Sequence, residues 1–510
     1  MTKLLPIALL SAGAIAVAGL LSLPAALADK ADDTLTWASD SEPENVSPYH
    51  NNLREGVVIA RHVWDTLIYR DPDTGEYKGL IATDWEWADD TTLDVTIREG
   101  LTFHNGDPLT AEDVAFTFNY VGDPDAGIVT RQNTDWIGSA EAVDDHKVRI
   151  HLDEPFPAAI EYLAGPTPIY PKAYFEEVGL DGFSRQPIGS GPYRITEVVP
   201  GQHVRMELFE DYFADSPRAK ATIGNLIFRY IPDGETRLAE LMTGSVEWLW
   251  RVPADQADQL EAVPEITVVG GETMRVAYLR MDAAGRSGED NPFTKLEVRR
   301  AVNHAIDRQA IVDALIRGGS RVINSACFPD QFGCEQDVMT YDYDPDKARQ
   351  LLDEAGYPDG FETDIYAYRE REYTEAVIGY LREVGITANL QFLQYAALRD
   401  LARAGDIAID NQTWGSFSIS DVSAITTTFF NLSGDDFARD EEVAELLRQG
   451  DTNTDPEERK RLYSQALKRI AEQAYWVPLY SYSTNYAHTD ELNFQPYPDE
   501  VPRFYAASWK

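Results

Sequence analysis

Residues 341–362, YDYDPDKARQLLDEAGYPDGFE, contain the most informative helix signal in the chain. Asp344 precedes Pro345, and this pair marks a helix start because the carboxylate accepts hydrogen bonds from unpaired backbone N–H groups, whereas proline has no N–H to leave unpaired. Apolar residues then recur at helical spacing as far as Gly356, which favours the left-handed conformation that ends helices. The segment therefore predicts a short amphipathic helix with one face on a core.

The N-terminus has the pattern of a secretory signal peptide, residues 1–28. Lys3 supplies a positive charge, residues 4–27 are largely apolar, and Ala26-Leu27-Ala28 matches the small-x-small pattern for cleavage before Asp29. A membrane anchor is the alternative, since the apolar run is nearly long enough to span, but its prolines and serines and the acidic DKADD that follows favour cleavage. No cysteine lies near the cleavage point, so we expect a periplasmic protein without a lipid anchor.

Size and charge limit the class of protein. About 480 residues remain after cleavage, too many for one core, so two or three domains are expected. The chain has 44 basic and 86 acidic residues, a formal net charge of −42. Because this charge repels phosphates, nucleic-acid binding is excluded. The acidic residues are spread along the chain, which favours a solvated surface suited to a salty medium over a dedicated binder of cationic ligands.

The two cysteines, Cys327 and Cys334, lie close together in SACFPDQFGCEQD. In an exported protein a disulfide is favoured over a metal site, which would need more ligands. We expect the bond to close a small loop.

Motifs that carry chemistry are missing from the sequence. It contains no G-x-S-x-G, H-E-x-x-H, C-x-x-C, Walker A or G-x-G-x-x-G pattern. Gly189-Ser190-Gly191 is followed at once by Pro192-Tyr193, which is typical of a tight turn, and the eight histidines lack metal-ligand spacing. We therefore expect no catalytic residue, no metal and no cofactor.

Strand and helix patterns alternate along much of the chain. An early helix is expected at about 57–64, and a strand at 223–231, a helix at 235–243 and a strand at 246–250 form a β-α-β pattern. After the polar segment 282–292, further alternation follows, with strands at 362–367 and 388–392 and helices at 374–384 and 396–404. An α/β fold is predicted.

Four blocks of this sequence, in order, resemble the periplasmic substrate-binding proteins of peptide-type ABC importers, solute-binding family 5. They are residues 66–114, TLIYRDPDTGEYKGLIATDWEWADDTTLDVTIREGLTFHNGDPLTAEDV; residues 188–195, IGSGPYRI; residues 291–312, NPFTKLEVRRAVNHAIDRQAIV; and the helix of residues 341–362. The resemblance covers nearly the whole mature chain.

The resemblance implies an α/β fold of two lobes, a type II-like or Venus-flytrap arrangement, that traps a ligand between them. Lobe I would comprise 29–283 and 483–510, with an extra subdomain at about 70–186, and lobe II would comprise 284–482. The hinges would lie near Met281–Pro292 and Leu479–Thr484. Closure would then shift the population to a form that the importer recognises.

The resemblance also implies ligand contacts in lobe II. In peptide-binding relatives an aspartate shortly after a tryptophan binds the ligand's α-amino group, and here NQTWGSFSISDVSA provides Trp414 and Asp421. The alternative is a tryptophan in a core and an aspartate that caps the next helix. An arginine binds the peptide carboxylate in dipeptide binders, and AYREREY offers Arg369 or Arg371, with Arg369 preferred.

In lobe I the loop 44–51, with Tyr49 and His50, is expected to reach the cleft. Trp250 and Arg251, which follow the predicted strand VEWLW, are expected there too. Trp248 and Trp250 both belong to that strand, and a core position is the alternative for either.

These features predict the extracytoplasmic solute-binding component of an ABC importer. We expect a monomer that binds a short peptide or similar small solute and delivers it to the transmembrane permease subunits. A non-peptide cargo such as an opine, a glycan fragment, a metal chelate or a haem fits the same fold. A secreted hydrolase or a ligand sensor would also be compatible with a cleft of this kind.

Overall fold

The structure is a computed structural model of the 510-residue chain, and it describes residues 30–43, 45–51, 53–316, 318–369 and 371–510. The expected signal peptide, residues 1–28, lies outside these described residues. Within them, no helix combines the length and the apolar character needed to cross a bilayer.

The described residues form strands and helices in mixed order. The strands are β1 (Thr34–Ser39), β2 (Ile68–Arg70), β3 (Tyr77–Gly79), β4 (Ala82–Asp89), β5 (Thr92–Ile97), β6 (Ile137–Asp144), β7 (Lys147–Leu152), β8 (Tyr193–Val199), β9 (His203–Leu208), β10 (Asn225–Tyr230), β11 (Trp248–Leu249), β12 (Ile266–Met281), β13 (Phe361–Ala367), β14 (Ile386–Phe392), β15 (Ile409–Trp414), β16 (Trp476–Thr489), β17 (Leu492–Asn493) and β18 (Ser508–Trp509). The helices are α1 (Arg54–Val63), α2 (Ala111–Gly122), α3 (Ala159–Leu163), α4 (Lys172–Arg185), α5 (Gly234–Thr243), α6 (Ala254–Leu260), α7 (Leu296–Ala305), α8 (Arg308–Ile311), α9 (Pro345–Glu354), α10 (Arg371–Glu383), α11 (Tyr395–Ala404), α12 (Ser423–Phe429), α13 (Glu441–Thr452) and α14 (Pro456–Glu472).

Two long antiparallel strands, β12 and β16, join the two lobes of the molecule. They lie in the middle of one sheet of order β14-β13-β15-β12-β16-β11-β1-β10-β9-β8. Strands β1 and β8–β11 belong to lobe I, whose core contains Leu35 and Trp248, whereas β13–β15 belong to lobe II, whose core contains Leu279 and Ile365. The α/β two-lobe fold predicted from the sequence is therefore present.

The pairing of β12 with β16 is interrupted between the lobes. Glu272 pairs with Ser483, and the next pair is Val276 with Ser481, so residues 273–275 have no ladder partner on β16. A bulge of this kind breaks the ladder and bends the strand. The interruption on β16 lies within the expected hinge Leu479–Thr484, whereas the one on β12 lies several residues before the expected hinge Met281–Pro292. Residues 282–291 instead fold onto lobe II, where the Ala284 backbone N–H donates to the Phe437 carbonyl at 3.1 Å and the Arg286 guanidinium donates to the Gly434 carbonyl at 2.9 Å.

The β-α-β pattern and the extra subdomain both lie in lobe I. Strands β10 and β11 each pair in parallel with β1, with α5 as the connection between them. A separate antiparallel sheet of order β4-β5-β7-β6 packs against α2 inside the range 70–186. Helix α2 starts with a capping box between Thr110 and Asp113.

The helix predicted within residues 341–362 is α9 of lobe II. Asp344 accepts a hydrogen bond from the Lys347 backbone N at 2.9 Å, and the helix buries Ala348 and Leu352. Gly356 follows the helix with φ of 88°, the left-handed conformation that the sequence predicted. Cys327 and Cys334 are joined by a disulfide with their Cα atoms 5.9 Å apart, so this prediction is confirmed as well.

Candidate ligand-binding site

A cavity of about 310 Å³ lies between the two lobes, beside the interruption in β12. Lobe I contributes most of its wall, and lobe II contributes the end of β15 and the loop that follows. This volume lies at the lower end of the range of small-molecule sites. The cavity therefore has room for one small solute.

Helix α1 provides one face of the cavity. Apart from Glu55, which pairs with Arg251, its lining residues are Arg54, Val57, Ala60, Arg61 and the following Trp64. They recur three, four and seven positions apart, which places them on one side of a helix. The opposite side of α1 buries Val58, Ile59 and Val63 in the core of lobe I. Packing of that apolar side turns the two arginines toward the cavity.

Lobe II faces the cavity with residues 414–418. The Trp414 indole N–H donates to the Ala424 carbonyl at 3.0 Å, and its ring meets the edge of Phe417 at a centroid distance of 4.9 Å. Ser416, Phe417 and Ser418 have φ of 49°, 51° and 65°. The left-handed conformation costs free energy for residues other than glycine, and such residues gather at ligand sites.

Left-handed backbone is concentrated around this cavity. Among the described residues, nine non-glycine residues have positive φ. Five of them line or adjoin the cavity: Arg251, Ser416, Phe417, Ser418 and Glu500. Such backbone persists only where surrounding packing holds it, so the walls of the cavity are built to a fixed shape.

Glu500 is held between two arginines of the cavity wall. Its carboxylate lies 3.4 Å from the Arg54 guanidinium and 3.2 Å from that of Arg275. Burial by itself would raise the pKa of Glu500, but Arg275, Arg54 and Arg251 lower it to about 2. Gly415 leaves the room for this cluster, because a Cβ atom there would lie 3.0 Å from the Arg275 guanidinium.

Arg251 forms a second charged group on the lobe I side. Its guanidinium lies 3.3 Å from the buried Glu55 carboxylate and 4.2 Å from the centre of the Trp250 ring. The aromatic face and the carboxylate together fix the guanidinium in position. Its side chain is 42% exposed, so it can still meet a ligand.

Arg61 has a different environment from the other three arginines. Its guanidinium donates to the Ala164 carbonyl oxygen at 2.8 Å, and among the described residues no carboxylate is within ion-pair distance of it. Burial, together with the nearby positive charge of Arg503, lowers the pKa of Arg61. The cavity thus contains a cation that has no ion-pair partner in the described part of the chain.

Hydrogen bonds join the lobes directly at the edge of the cavity. Ser418 of lobe II accepts a hydrogen bond from Arg54 at 2.6 Å and donates one to the Asp499 carbonyl at 2.6 Å. The Ser420 backbone N–H donates to the Glu161 carboxylate at 2.7 Å. These contacts describe a closed arrangement of the two lobes.

Two of the eight ligand-binding residues expected from the sequence, Trp414 and Arg251, line the cavity. Arg275, Arg54 and Arg61 were not expected there. A signal for the last two exists in the sequence: they are seven residues apart in REGVVIAR, which places both on one face of a helix.

Asp421 lies outside the cavity, buried at 5% exposure. One carboxylate oxygen accepts hydrogen bonds from the Ser423 backbone and hydroxyl, and the other lies 2.8 Å from the Arg459 guanidinium. All of these partners belong to lobe II. The expected contact with a ligand amino group is therefore not part of this arrangement, and the alternative of a helix cap describes the observed geometry.

Arg369 and Arg371 also lie outside the cavity lining. The Arg369 guanidinium is 5.7 Å from the centre of the Tyr482 ring, and its charge acts on Arg275. Arg371, at the start of α10, is exposed and forms an ion pair with Glu375 at 3.5 Å. Of the two arginines, Arg369 is therefore the one whose charge acts on a residue that lines the cavity.

Tyr49, His50 and Trp250 support the cavity from behind. Tyr49 is fully buried and donates to the Pro168 carbonyl at 2.7 Å. The half-buried His50 lies 3.0 Å from the Ala126 carbonyl oxygen, and burial lowers its pKa. Trp250 donates to the Ser39 hydroxyl at 3.1 Å. The loop 44–51 does reach the cavity as expected, but through Pro48 and Asn51.

A second cavity of about 620 Å³ adjoins the first and shares Phe417 with it. Its acidic lining residues are Asp135, Asp153, Glu154 and Asp451, and neither lysine nor arginine occurs among its described lining residues. Trp136, Phe156 and Tyr162 supply an aromatic cluster beside them. Within the described part of the chain, no group of three or more histidine, cysteine or acidic side chains could hold a metal ion.

Comparison with known proteins identifies the class. The family model for bacterial extracellular solute-binding proteins, family 5, matches residues 76–436. The glutathione-binding protein GsiB of Salmonella typhi is 28% identical over 500 residues, which cover 94% of each chain. The solved structure of HbpA2 from Haemophilus parasuis superimposes with a TM-score of 0.80 at 26% identity, over 94% of this chain and 100% of that one. A dipeptide-binding protein from Pseudoalteromonas in complex with Met-Leu gives a TM-score of 0.78 at 24% identity, over 94% and 100% of the two chains.

Two lobes joined by a pair of crossing strands, with a cavity between the lobes, define a binding protein of the periplasmic type. The chain belongs to the bacterial extracellular solute-binding proteins, family 5.

Proposed function

We propose that this protein is the extracytoplasmic solute-binding component of an ABC importer. It captures a short peptide or a similarly small solute between its lobes and presents the closed form to the permease subunits. The observation that carries this proposal is the cavity between the lobes, with one wall from each. The interruption in the pairing of β12 with β16 supports a pivot between the lobes at this position.

The relatives support a small polar cargo. GsiB is named for glutathione, and the Pseudoalteromonas structure contains the dipeptide Met-Leu. A cavity of about 310 Å³ fits solutes of that size and not a long peptide. We propose that the protein acts as an exported monomer, free of the membrane, after removal of residues 1–28.

The proposal is tested with protein purified without denaturation. Native mass spectrometry identifies a retained solute, and small-angle scattering compares the protein before and after that solute is removed by unfolding and refolding. We expect the radius of gyration to decrease when the solute is added back, with no change in the monomer mass. An unchanged radius at saturation contradicts closure, and a dimer at all concentrations contradicts the monomer.

Binding without turnover is part of the same proposal. The relatives are solute-binding proteins, and the two carboxylates at the cavity, Glu55 and Glu500, are both paired with arginines. Incubation with peptide and ester libraries is expected to return them unchanged. Formation of a product that disappears in the Arg61→Gln variant would point to a hydrolase instead.

A further inference from the structure

The wall of the main cavity carries an excess of positive charge although the chain as a whole is acidic. Four guanidinium groups line it, those of Arg54, Arg61, Arg251 and Arg275. Two carboxylates neutralise part of this charge: Glu500 contacts Arg54 and Arg275, and Glu55 contacts Arg251. Two positive charges of the wall are therefore left for a ligand.

Arg61 shows most directly where one of these charges is available. Among the described residues, its guanidinium donates a hydrogen bond to an uncharged group, the Ala164 carbonyl oxygen. The pKa of its guanidinium is lowered by burial and by Arg503, which means that the folded protein disfavours the charge. An anion in the cavity would reverse that effect, since burying a cation is costly unless it is paired.

The remaining positive charge belongs to the arginines around Glu500 and Glu55. Arg54 lies seven residues before Arg61 on α1, so the two Cα atoms are about 10 Å apart along the helix axis. Both side chains point to the same side of that helix, and both line the cavity. Two anion-binding positions thus lie at opposite ends of one face.

We propose that the cargo is a small dianion with two acidic groups roughly 10 Å apart, one bound by Arg61 and the other by the arginines near Arg54. This inference rests on the proposed function and narrows its cargo to a class. A bidentate guanidinium suits carboxylate and phosphate alike, so the shared chemistry is an acidic oxygen group at each end.

The second cavity has the opposite charge and reinforces the assignment. Its acidic side chains repel anions and attract cations, and Phe417 lies on the boundary between the two spaces. A dianionic solute is therefore confined to the arginine side of Phe417.

Matched ligands test the charge requirement by calorimetry. Octanedioate is compared with its monoamide, and glutathione with its glycinamide, because each pair differs by one negative charge at nearly constant shape. Ala-Ala serves as a zwitterion of similar size. We expect each diacid to bind at least tenfold more tightly than its amide, since one charge-assisted hydrogen bond is lost.

Substitution of Arg61 tests the assignment of the site. Arg61→Gln is expected to reduce the preference for a diacid over its amide to less than threefold, and Arg61→Lys to restore part of it. Arg349→Gln is the control, because Arg349 lies on the exposed side of α9 and pairs with Asp346. Thermal unfolding of each variant shows whether its fold is retained.

The outcomes separate this inference from the proposed function. Equal binding of diacids and amides, or tighter binding of Ala-Ala, contradicts the proposal that the cargo is a dianion. The proposed function as a solute-binding protein is not affected by that result. A neutral or cationic solute retained in native mass spectrometry does the same. Failure of every ligand to bind, with no solute retained, overturns the proposed function and the inference together.

Discussion

At the scale of single residues, Asp421 and Arg459 form a buried ion pair 2.8 Å apart inside lobe II, with side-chain exposures of 7% and 6%. Asp421→Asn is expected to lower the free energy of unfolding by about 3–5 kcal/mol, because it leaves the Arg459 charge buried with only the uncharged Gly450 carbonyl and Tyr463 hydroxyl as hydrogen-bond partners. Chemical denaturation measures this loss.

The control for this substitution is Asp346→Asn, which removes an Asp–Arg pair of similar length from an exposed position. Its effect is expected to stay below about 1 kcal/mol. Replacing both Asp421 and Arg459 with apolar residues should recover much of the loss. Weaker ligand binding with unchanged stability in Asp421→Asn would instead support the ligand contact that the family resemblance implies.

Glu500 predicts a specific dependence of stability on pH. The arginines around it lower its pKa from 4.5 to about 2, so its contribution is fully present above about pH 4.5 and is lost as the pH falls toward 2. At neutral pH the shift corresponds to about 3 kcal/mol. We expect the difference in unfolding free energy between wild type and Glu500→Gln to shrink by about 1.4 kcal/mol from about pH 6 to about pH 3.5. A constant difference over that range contradicts the assignment.

At the scale of elements, the sequence predicted helices correctly where capping residues and apolar spacing marked both ends. Helix α9 has its cap, its apolar face and its terminal glycine in the sequence, and all three are in place. Helix α1 was expected only from about Val57, and the structure starts it at Arg54, after Leu53, which makes no side-chain cap hydrogen bond. Because Arg54 precedes the predicted helix, it was not predicted to lie on the same helix face as Arg61.

The rest of the site depends on tertiary contacts that a sequence does not display. Arg275 lies where β12 leaves its ladder with β16, and nothing in its neighbours marks that interruption. The choice between cap and ligand contact for Asp421 depends on Arg459, which is distant in the chain. The sequence shows which residues are charged and which of them share a helix face. It does not show which residue each charged side chain contacts in the folded protein.

The disulfide between Cys327 and Cys334 staples the loop that packs beside α14 in lobe II. Its ring is short, so by chain entropy we expect it to contribute about 2.5 kcal/mol. The Cys327→Ala/Cys334→Ala double variant should unfold at a correspondingly lower denaturant concentration, with an unchanged slope. Two thiols that react with an alkylating agent in the unreduced exported protein would contradict the bond.

At the scale of the whole molecule, the sheet that runs through both lobes couples closure to the cavity. Arg275 comes from the interruption in β12, and the Glu500 that it contacts follows β17 in lobe I. Under the proposed hinge motion, a pivot at residues 273–275 would move a ligand-facing charge along with the lobes. Closure and assembly of the charges would then be one event, by which a ligand biases the population of the closed form.

The acidic exterior around a basic cavity has a consequence for rates. A chain with a formal net charge of −42 repels a dianion at long range, whereas the arginines attract it only once it is inside. Because added salt screens exposed charges beyond about 10 Å at 0.1 M but screens buried ones much less, salt should speed association several-fold and change dissociation little. Stopped-flow fluorescence with the identified solute measures both rate constants between about 20 and about 200 mM salt. An association rate constant that falls with salt, as it does for oppositely charged partners, would contradict this prediction. It would show that attraction by the arginines outweighs repulsion by the acidic surface while the solute approaches.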